Sequence, residues 1–153
     1  MHKTEKMRLA CGLVTAAAGL AVAIAMQVAG GNLARFLPEG PWFYVVAILG
    51  AAAAGIALAD GFGRRGWLGV AVLALAAPTA TAIGAALAAA VLTSGHAAKM
   101  AILGSDTLTP GTLTGSPVLG LLAVADGIST SFAVAVTWVL SMGAVHLTMR
   151  RMR

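Results

Sequence analysis

Charged residues are scarce in this chain. They make up 10% of its 153 residues, with ten basic and five acidic side chains, while 59% of the residues are hydrophobic. Because soluble domains carry about 25% charged residues, this composition excludes an ordinary water-soluble domain and predicts a protein whose surface faces lipid. A net charge of +5 then reflects where basic residues sit relative to the membrane, and no nucleic-acid partner is predicted.

Aromatic residues and cysteine are also rare. Aromatics account for 5% of the chain and Cys11 is its single cysteine, which excludes an intramolecular disulfide. Cys11 is not a lipoprotein acceptor either, because the apolar core of a signal peptide precedes its cleavage site and here it follows the cysteine. Alanine and glycine are abundant instead, and helices rich in them can approach one another closely. The sequence therefore favours a packed helical bundle.

Clusters of metal-ligating or catalytic residues are missing from the apolar stretches. None of these stretches groups cysteine, histidine, aspartate and glutamate at ligand spacing, and no glycine-rich phosphate loop stands between a strand and a helix. His96 and His146 fall at opposite ends of apolar stretches, about a membrane thickness apart, which excludes a bis-histidine haem within one chain. The sequence predicts no metal and no cofactor.

Four apolar stretches approach or exceed the roughly 20 helical residues that cross a bilayer. They cover residues 9–29, 42–59, 67–93 and 127–149. The apolar core of the first stretch is longer than the roughly 7–15 residues of a signal-peptide core, so we expect it to be retained as a span. The predicted fold is all-α: a single-domain polytopic membrane protein, folded as a four-transmembrane-helix bundle.

Basic residues predict the orientation of this bundle. If both termini are cytoplasmic, eight of the ten basic residues lie inside and only Arg35 and Lys99 lie outside. Cytoplasmic loops normally hold the excess of lysine and arginine. The distribution therefore predicts an N-in, C-in protein, and the alanine- and glycine-rich composition favours the inner (cytoplasmic) membrane of a bacterium.

Residues 94–126 form the long outer connection in this topology, with an interfacial or re-entrant segment before the last span. Asp126 ends that connection and has three interpretations. It could cap a last helix that begins at Gly127, pair as a lateral acid with Lys99 or Arg35, or handle protons or ions within the bilayer. We favour the cap, because Asp126 stands about 36 Å of helix from the terminal arginines, beyond the roughly 30 Å of hydrocarbon.

Pro78 lies about 16 Å into the third predicted span, near the bilayer midplane. It removes a backbone donor and frees a carbonyl in the preceding turn. The hydroxyls of Thr79 and Thr81 could satisfy this backbone in a simple kink, or the break could form a substrate site like those of transporters. We favour the kink. The complete set of candidate polar positions is Asp126, Pro78, Thr79, Thr81, Thr137 and His96.

The function favoured by the sequence is that of a structural or accessory subunit, without enzymatic activity, that packs in the lipid bilayer against a partner membrane protein or against itself. Small residues recur every four positions near the end of the chain, which suits close helix packing. This stripe comprises Ala125, Ser129, Ala133, Thr137 and Ser141.

Two other functions fit the same residues. One is a small oligomeric channel or transporter component for a neutral or weakly polar solute, with Pro78 and the threonines as its path and Asp126 at its mouth. The other is an enzyme acting on lipid or quinone, since Asp126 and His96 are the available acid and base on the outer side.

Overall fold

All of the regular secondary structure in the described part of the protein is helical. The computed structural model describes residues 3–29, 41–102 and 110–153. It contains five α-helices, with a short 3₁₀ helix, Ala59–Gly61, after the second. The α-helices are α1 (Lys3–Ala29), α2 (Pro41–Ala57), α3 (Gly66–Ile102), α4 (Pro110–Thr130) and α5 (Phe132–Met152).

Three of these helices are long and apolar enough to cross a membrane. The segments with this character are Thr4–Ala29 in α1, Gly66–Ser94 in α3 and Phe132–Met152 in α5. The all-α fold and the membrane-like character predicted from composition are therefore confirmed. Pro41–Ala57 and Pro117–Thr130 are shorter apolar helices, and α2, with 17 residues, is about 25 Å long.

The helices form a ring. α1 lies between α2 and α5, while α3 lies between α2 and α4. α4 closes the ring, because Ala123 packs with Val22 and Met26 of α1 and with Val134 of α5 in one buried apolar cluster. Residues from all five helices therefore surround the centre of the bundle.

Small residues set the distance between neighbouring helices. A methyl group on Gly50 of α2 would lie only 2.5 Å from the carbonyl oxygen of Gly84 in α3, so the two backbones touch. Gly55 of α2 leaves room in the same way for the side chain of Thr15 in α1. These contacts are those expected of helices that pack by van der Waals contact in lipid.

The start of the last helix differs from the prediction. Asp126 lies inside α4, which runs on to Thr130, and α5 begins at Phe132. Ser131 is the N-cap: its backbone is extended and its hydroxyl oxygen accepts the N–H of Val134 at 3.4 Å. The predicted cap at Asp126 and helix start at Gly127 are wrong.

The physical reason lies in the residues that follow Asp126. The hydroxyls of Ser129 and Thr130 donate to the carbonyl oxygen of Asp126 at 3.1 and 2.6 Å, and the N–H of Ser131 donates to the carbonyl of Gly127 at 3.0 Å. These bonds hold the last turn of α4 together past the aspartate. Serine caps helices about as well as aspartate, so the chain uses the later of two competent caps.

The described residues of the predicted outer connection, 94–102 and 110–126, are also helical. α3 continues to Ile102 and α4 begins at Pro110. Leu119 and Leu122 of α4 lie in the segment that was predicted to be interfacial or re-entrant, and both are exposed on the surface of the bundle. Arg35 lies outside the described residues, and so does the side chain of Lys99.

Candidate functional site

A small apolar cavity lies at the centre of the helix ring. Its volume is about 120 Å³, and all five helices contribute to its wall. Most of the lining residues are alanine or glycine, with larger side chains at Met26, Phe43, Leu92, Trp138 and Met142. The cavity is partly open, and its apolar wall suits a small apolar group.

The hydroxyls in the cavity wall are satisfied within the chain. Trp138 of α5 donates its Nε1–H to Thr81 Oγ1 of α3 at 2.7 Å, and Thr81 donates in turn to the carbonyl of Ala77 at 2.8 Å. Thr15 donates to the carbonyl of Cys11 at 2.7 Å. The cavity therefore offers no free polar group from these side chains to bind an ion or a hydrated solute.

The midplane residues proposed as a path do not come together. Thr81 lines the cavity, whereas Pro78, Thr79 and Thr137 are not part of its wall. The side chain of Thr79 is exposed on the other side of α3, where it donates to the carbonyl of Leu75 at 2.7 Å. Only one of the four residues faces the interior of the bundle.

Pro78 lies within a continuous helix. α3 runs through it from Gly66 to Ile102. The hydroxyls of Thr79 and Thr81 bond to carbonyls of the preceding turn, at Leu75 and Ala77. Neither of these bonds reaches the carbonyl of Ala74, which is the one that Pro78 leaves without its helical donor. The helix is continuous through the proline, but these two threonines do not compensate at the carbonyl for which they were predicted.

The two outer candidates lie on different helices. His96 belongs to α3, and its side chain is outside the described part of the chain. Asp126 belongs to α4 and is partly exposed. Its backbone carbonyl accepts hydrogen bonds from Ser129 and Thr130, so its place in the fold is the last turns of a helix.

One face of α5 carries small and hydroxyl residues that are exposed or partly exposed on the surface of the bundle. We call Ala133, Thr137, Ser141, Ala144 and Thr148 the α5 outer face; the two alanines are exposed and the three hydroxyl residues partly exposed. At about 100° per residue the five positions lie within an arc of about 80°. Three of them belong to the small-residue stripe predicted to pack, so within this chain that stripe points outward.

The hydroxyls of this face differ from the others in the bundle. Those of Thr15, Thr79, Thr81, Thr93 and Ser94 each donate to a carbonyl of their own helix. In contrast, no such bond is formed within the described residues by Thr137, Ser141 or Thr148. Their donors are available to a neighbouring molecule.

The connection between α2 and α3 forms a second ordered site. We call residues 58–65 the α2–α3 connector. Phe62 is completely buried, and the N–H of Gly63 donates to Nδ1 of His146 in α5 at 3.2 Å. Gly63 has φ +77°, a conformation that glycine adopts without strain. His146 thus serves as a structural acceptor for the connector backbone.

Two arginine side chains, one from the C-terminal end of α5 and one from the connector itself, bind backbone carbonyls of the connector. Arg153 donates to the carbonyls of Ala59 and Asp60 at 3.3 and 3.1 Å, and Arg64 Nε donates to the carbonyl of Asp60 at 3.1 Å. The carboxylate of Asp60 pairs with Arg8 of α1 at 3.3 Å. Basic side chains near a helix C-terminus satisfy its last carbonyls in this way.

The roles of His146 and Arg153 were not predicted from the sequence. The glycines on either side of Phe62 were a signal of a tight turn. No local pattern could indicate that Gly63 bonds a residue 83 positions later in the chain, or that Ala59 bonds one 94 positions later.

The hydrogen bond between Trp138 and Thr81 gives a first prediction. We expect Thr81→Val to lower the free energy of unfolding in detergent, because it leaves the indole N–H without its acceptor. A double-mutant cycle with Trp138→Phe should give a coupling of about 0.6 kcal/mol, and at most about 1.7 kcal/mol. Thr79→Val is the matched control, since that hydroxyl bonds only its own helix; equal losses for both threonines would contradict the interhelical bond.

No group of three or more cysteine, histidine, aspartate and glutamate residues in the described ranges could hold a metal ion. The candidate features are therefore the apolar cavity, the α5 outer face and the α2–α3 connector. Compared with known proteins, the chain matches no family model, no curated protein and no solved structure.

Proposed function

We propose that this protein is an accessory subunit of a membrane complex, and that its α5 outer face packs against a transmembrane helix of a partner protein. The observation that carries the proposal is the set of three hydroxyls on this face that form no hydrogen bond within the described chain. Each of the core threonines, by contrast, satisfies its own hydroxyl.

The physics of lipid supports this use of the face. Helix pairs in membranes favour small residues, which allow close backbone contact, and serine or threonine side chains that bond across the interface. A hydroxyl left without a partner in hydrocarbon is unfavourable. Large apolar side chains cover the other exposed side of α5, at Phe132, Val139 and Leu147, and suit contact with lipid.

The proposed topology has four spans with both termini in the cytoplasm of a bacterial cell, at its inner membrane. Contacts at one end of the bundle support it. The ion pair between Arg8 and Asp60 and the bonds from Arg153 to the α2–α3 connector gather both chain ends and this connector at the same end. That end is rich in arginine, which is typical of the cytoplasmic side.

A second candidate is supported by the cavity. Thr15, Thr81 and Trp138 carry the polar side-chain atoms of its wall, and the rest of the wall is apolar. A transport role would therefore concern a small apolar or weakly polar solute, as the sequence suggested. We rank it second because the other predicted path residues lie outside the cavity wall.

Paired tryptophan variants test the accessory role. Ala144→Trp places a bulky ring on the α5 outer face, whereas Val139→Trp places the same ring about 140° away around the helix. Both positions are exposed, so neither ring disturbs the bundle itself. Complexes extracted from native membranes in mild detergent should lose the partner with Ala144→Trp and keep it with Val139→Trp, as measured by native mass spectrometry.

Two results would contradict the proposal. One is a wild-type protein that is only a lone monomer, and the other is an equal effect of the two tryptophans. If the complex contains only copies of this chain, the partner is a second copy, and the α5 outer face is the surface through which the copies associate.

A further inference from the structure

Three arginines surround an open pocket beside the α2–α3 connector. Its walls are Gly63, Arg64, Arg65 and Arg153, and its volume is about 450 Å³. We call it the arginine pocket. It lies at the end of the bundle, apart from the α5 outer face and the central cavity.

Two of the guanidinium groups are held in place by the backbone. Arg153 Nη2 and Arg64 Nε both donate to the carbonyl oxygen of Asp60, each at 3.1 Å. A guanidinium has five N–H donors, and these bonds use only part of them. Both groups are therefore fixed near each other while donors remain for a ligand.

Three basic side chains and no acidic one line the pocket. The carboxylate of Asp60 pairs with Arg8 at 3.3 Å. The side chain of Arg65 is exposed and makes no hydrogen bond within the described chain. Fixed arginines near one another favour an anion, and their planar donors match the oxygens of a phosphate group.

Apolar side chains directly follow the arginines. Trp67 and Leu68, at the start of α3, are 82% and 77% exposed. A free phosphate ion would gain nothing from them, whereas a phospholipid presents its phosphate and its hydrocarbon chains together. Tryptophan also favours the boundary between headgroups and acyl chains.

We propose that the arginine pocket binds the phosphate of an anionic phospholipid, whose acyl chains lie against Trp67 and Leu68. Basic pockets beside membrane helices bind anionic headgroups, with each arginine near the surface contributing about fivefold in affinity. The bound lipid would join the connector and the chain end, since both supply arginines to the pocket.

Lipid titration of the purified protein in nonionic detergent tests the proposal. The probes are dioleoyl phosphatidylglycerol, dioleoyl phosphatidylcholine with the same chains, and soluble glycerol phosphate, with bound molecules counted by native mass spectrometry. We expect one phosphatidylglycerol to bind more tightly than phosphatidylcholine. Glycerol phosphate should compete with it only at much higher concentration.

Charge variants localise the binding. Arg65→Gln should weaken phosphatidylglycerol binding about fivefold without lowering the thermal stability of the lipid-free protein, because Arg65 bonds nothing in the fold. Arg151→Gln removes the same charge from an exposed position outside the pocket and should change binding little. Equal binding of the two lipids would overturn the proposal, and equal losses in the two variants would show only a diffuse attraction. Competition by glycerol phosphate at concentrations similar to those of the lipid would indicate a free-phosphate site instead.

Discussion

Phe62→Ala is expected to lower the free energy of unfolding by about 3–5 kcal/mol. Phe62 is completely buried although it lies in a turn, and it belongs to one apolar cluster with Cys11, Val145 and Met149. Removing its ring leaves a cavity where α1, α5 and the α2–α3 connector meet. Neighbouring backbone bonds, such as the one from Gly63 to His146, restrict how far this region can close around the gap.

Unfolding in mixed micelles of denaturing and nonionic detergent measures this loss. Trp67→Ala is the control, because it removes a larger ring that is 82% exposed only five positions later. We expect that control to change stability by less than about 0.5 kcal/mol. Similar effects of the two substitutions would show that Phe62 does not anchor the connector.

Gly50→Ala is expected to have the second largest effect, a loss of about 1–3 kcal/mol. The added methyl group would lie 2.5 Å from the carbonyl oxygen of Gly84. That oxygen belongs to a helix backbone and cannot rotate away as a side chain does. α2 and α3 must therefore move apart, which loosens the wall of the central cavity.

Gly84, on the other side of the same contact, provides the control. A methyl group on Gly84 would lie 3.4 Å from its nearest neighbours in α2, which is ordinary van der Waals contact. Because alanine is also the better helix former by about 1 kcal/mol, Gly84→Ala should leave stability unchanged or raise it slightly. Unfolding measurements that rank the two variants in the opposite order would contradict the packing of α2 on α3.

Composition and hydropathy predicted the helical, membrane-like character of the chain because they depend on local properties of each segment. Segment ends were harder to predict. Asp126 and Ser131 are both competent caps, and the choice between them depends on the hydrogen bonds of Ser129 and Thr130 to a backbone carbonyl. A count of helix length from the terminal arginines does not contain that information.

Most of the structural features that were not predicted from the sequence depend on contacts between residues far apart in the chain. Thr81 was singled out as a polar midplane residue, but its partner Trp138 is 57 residues away. Spacing alone placed Thr79 and Thr81 on one path, whereas the structure turns Thr79 outward. Small-residue spacing did identify the stripe containing Ala133, Thr137 and Ser141. Which side of the bundle it faces depends on how α5 packs against α1.

Site-specific photo-crosslinking in native membranes tests the accessory role most directly. A photoreactive amino acid at Ala144 lies on the α5 outer face, and one at Val139 lies on the exposed side of the same helix that carries large apolar residues. The proposal predicts a discrete crosslinked protein from position 144 and only lipid adducts from position 139. Lipid adducts alone from both positions would contradict it.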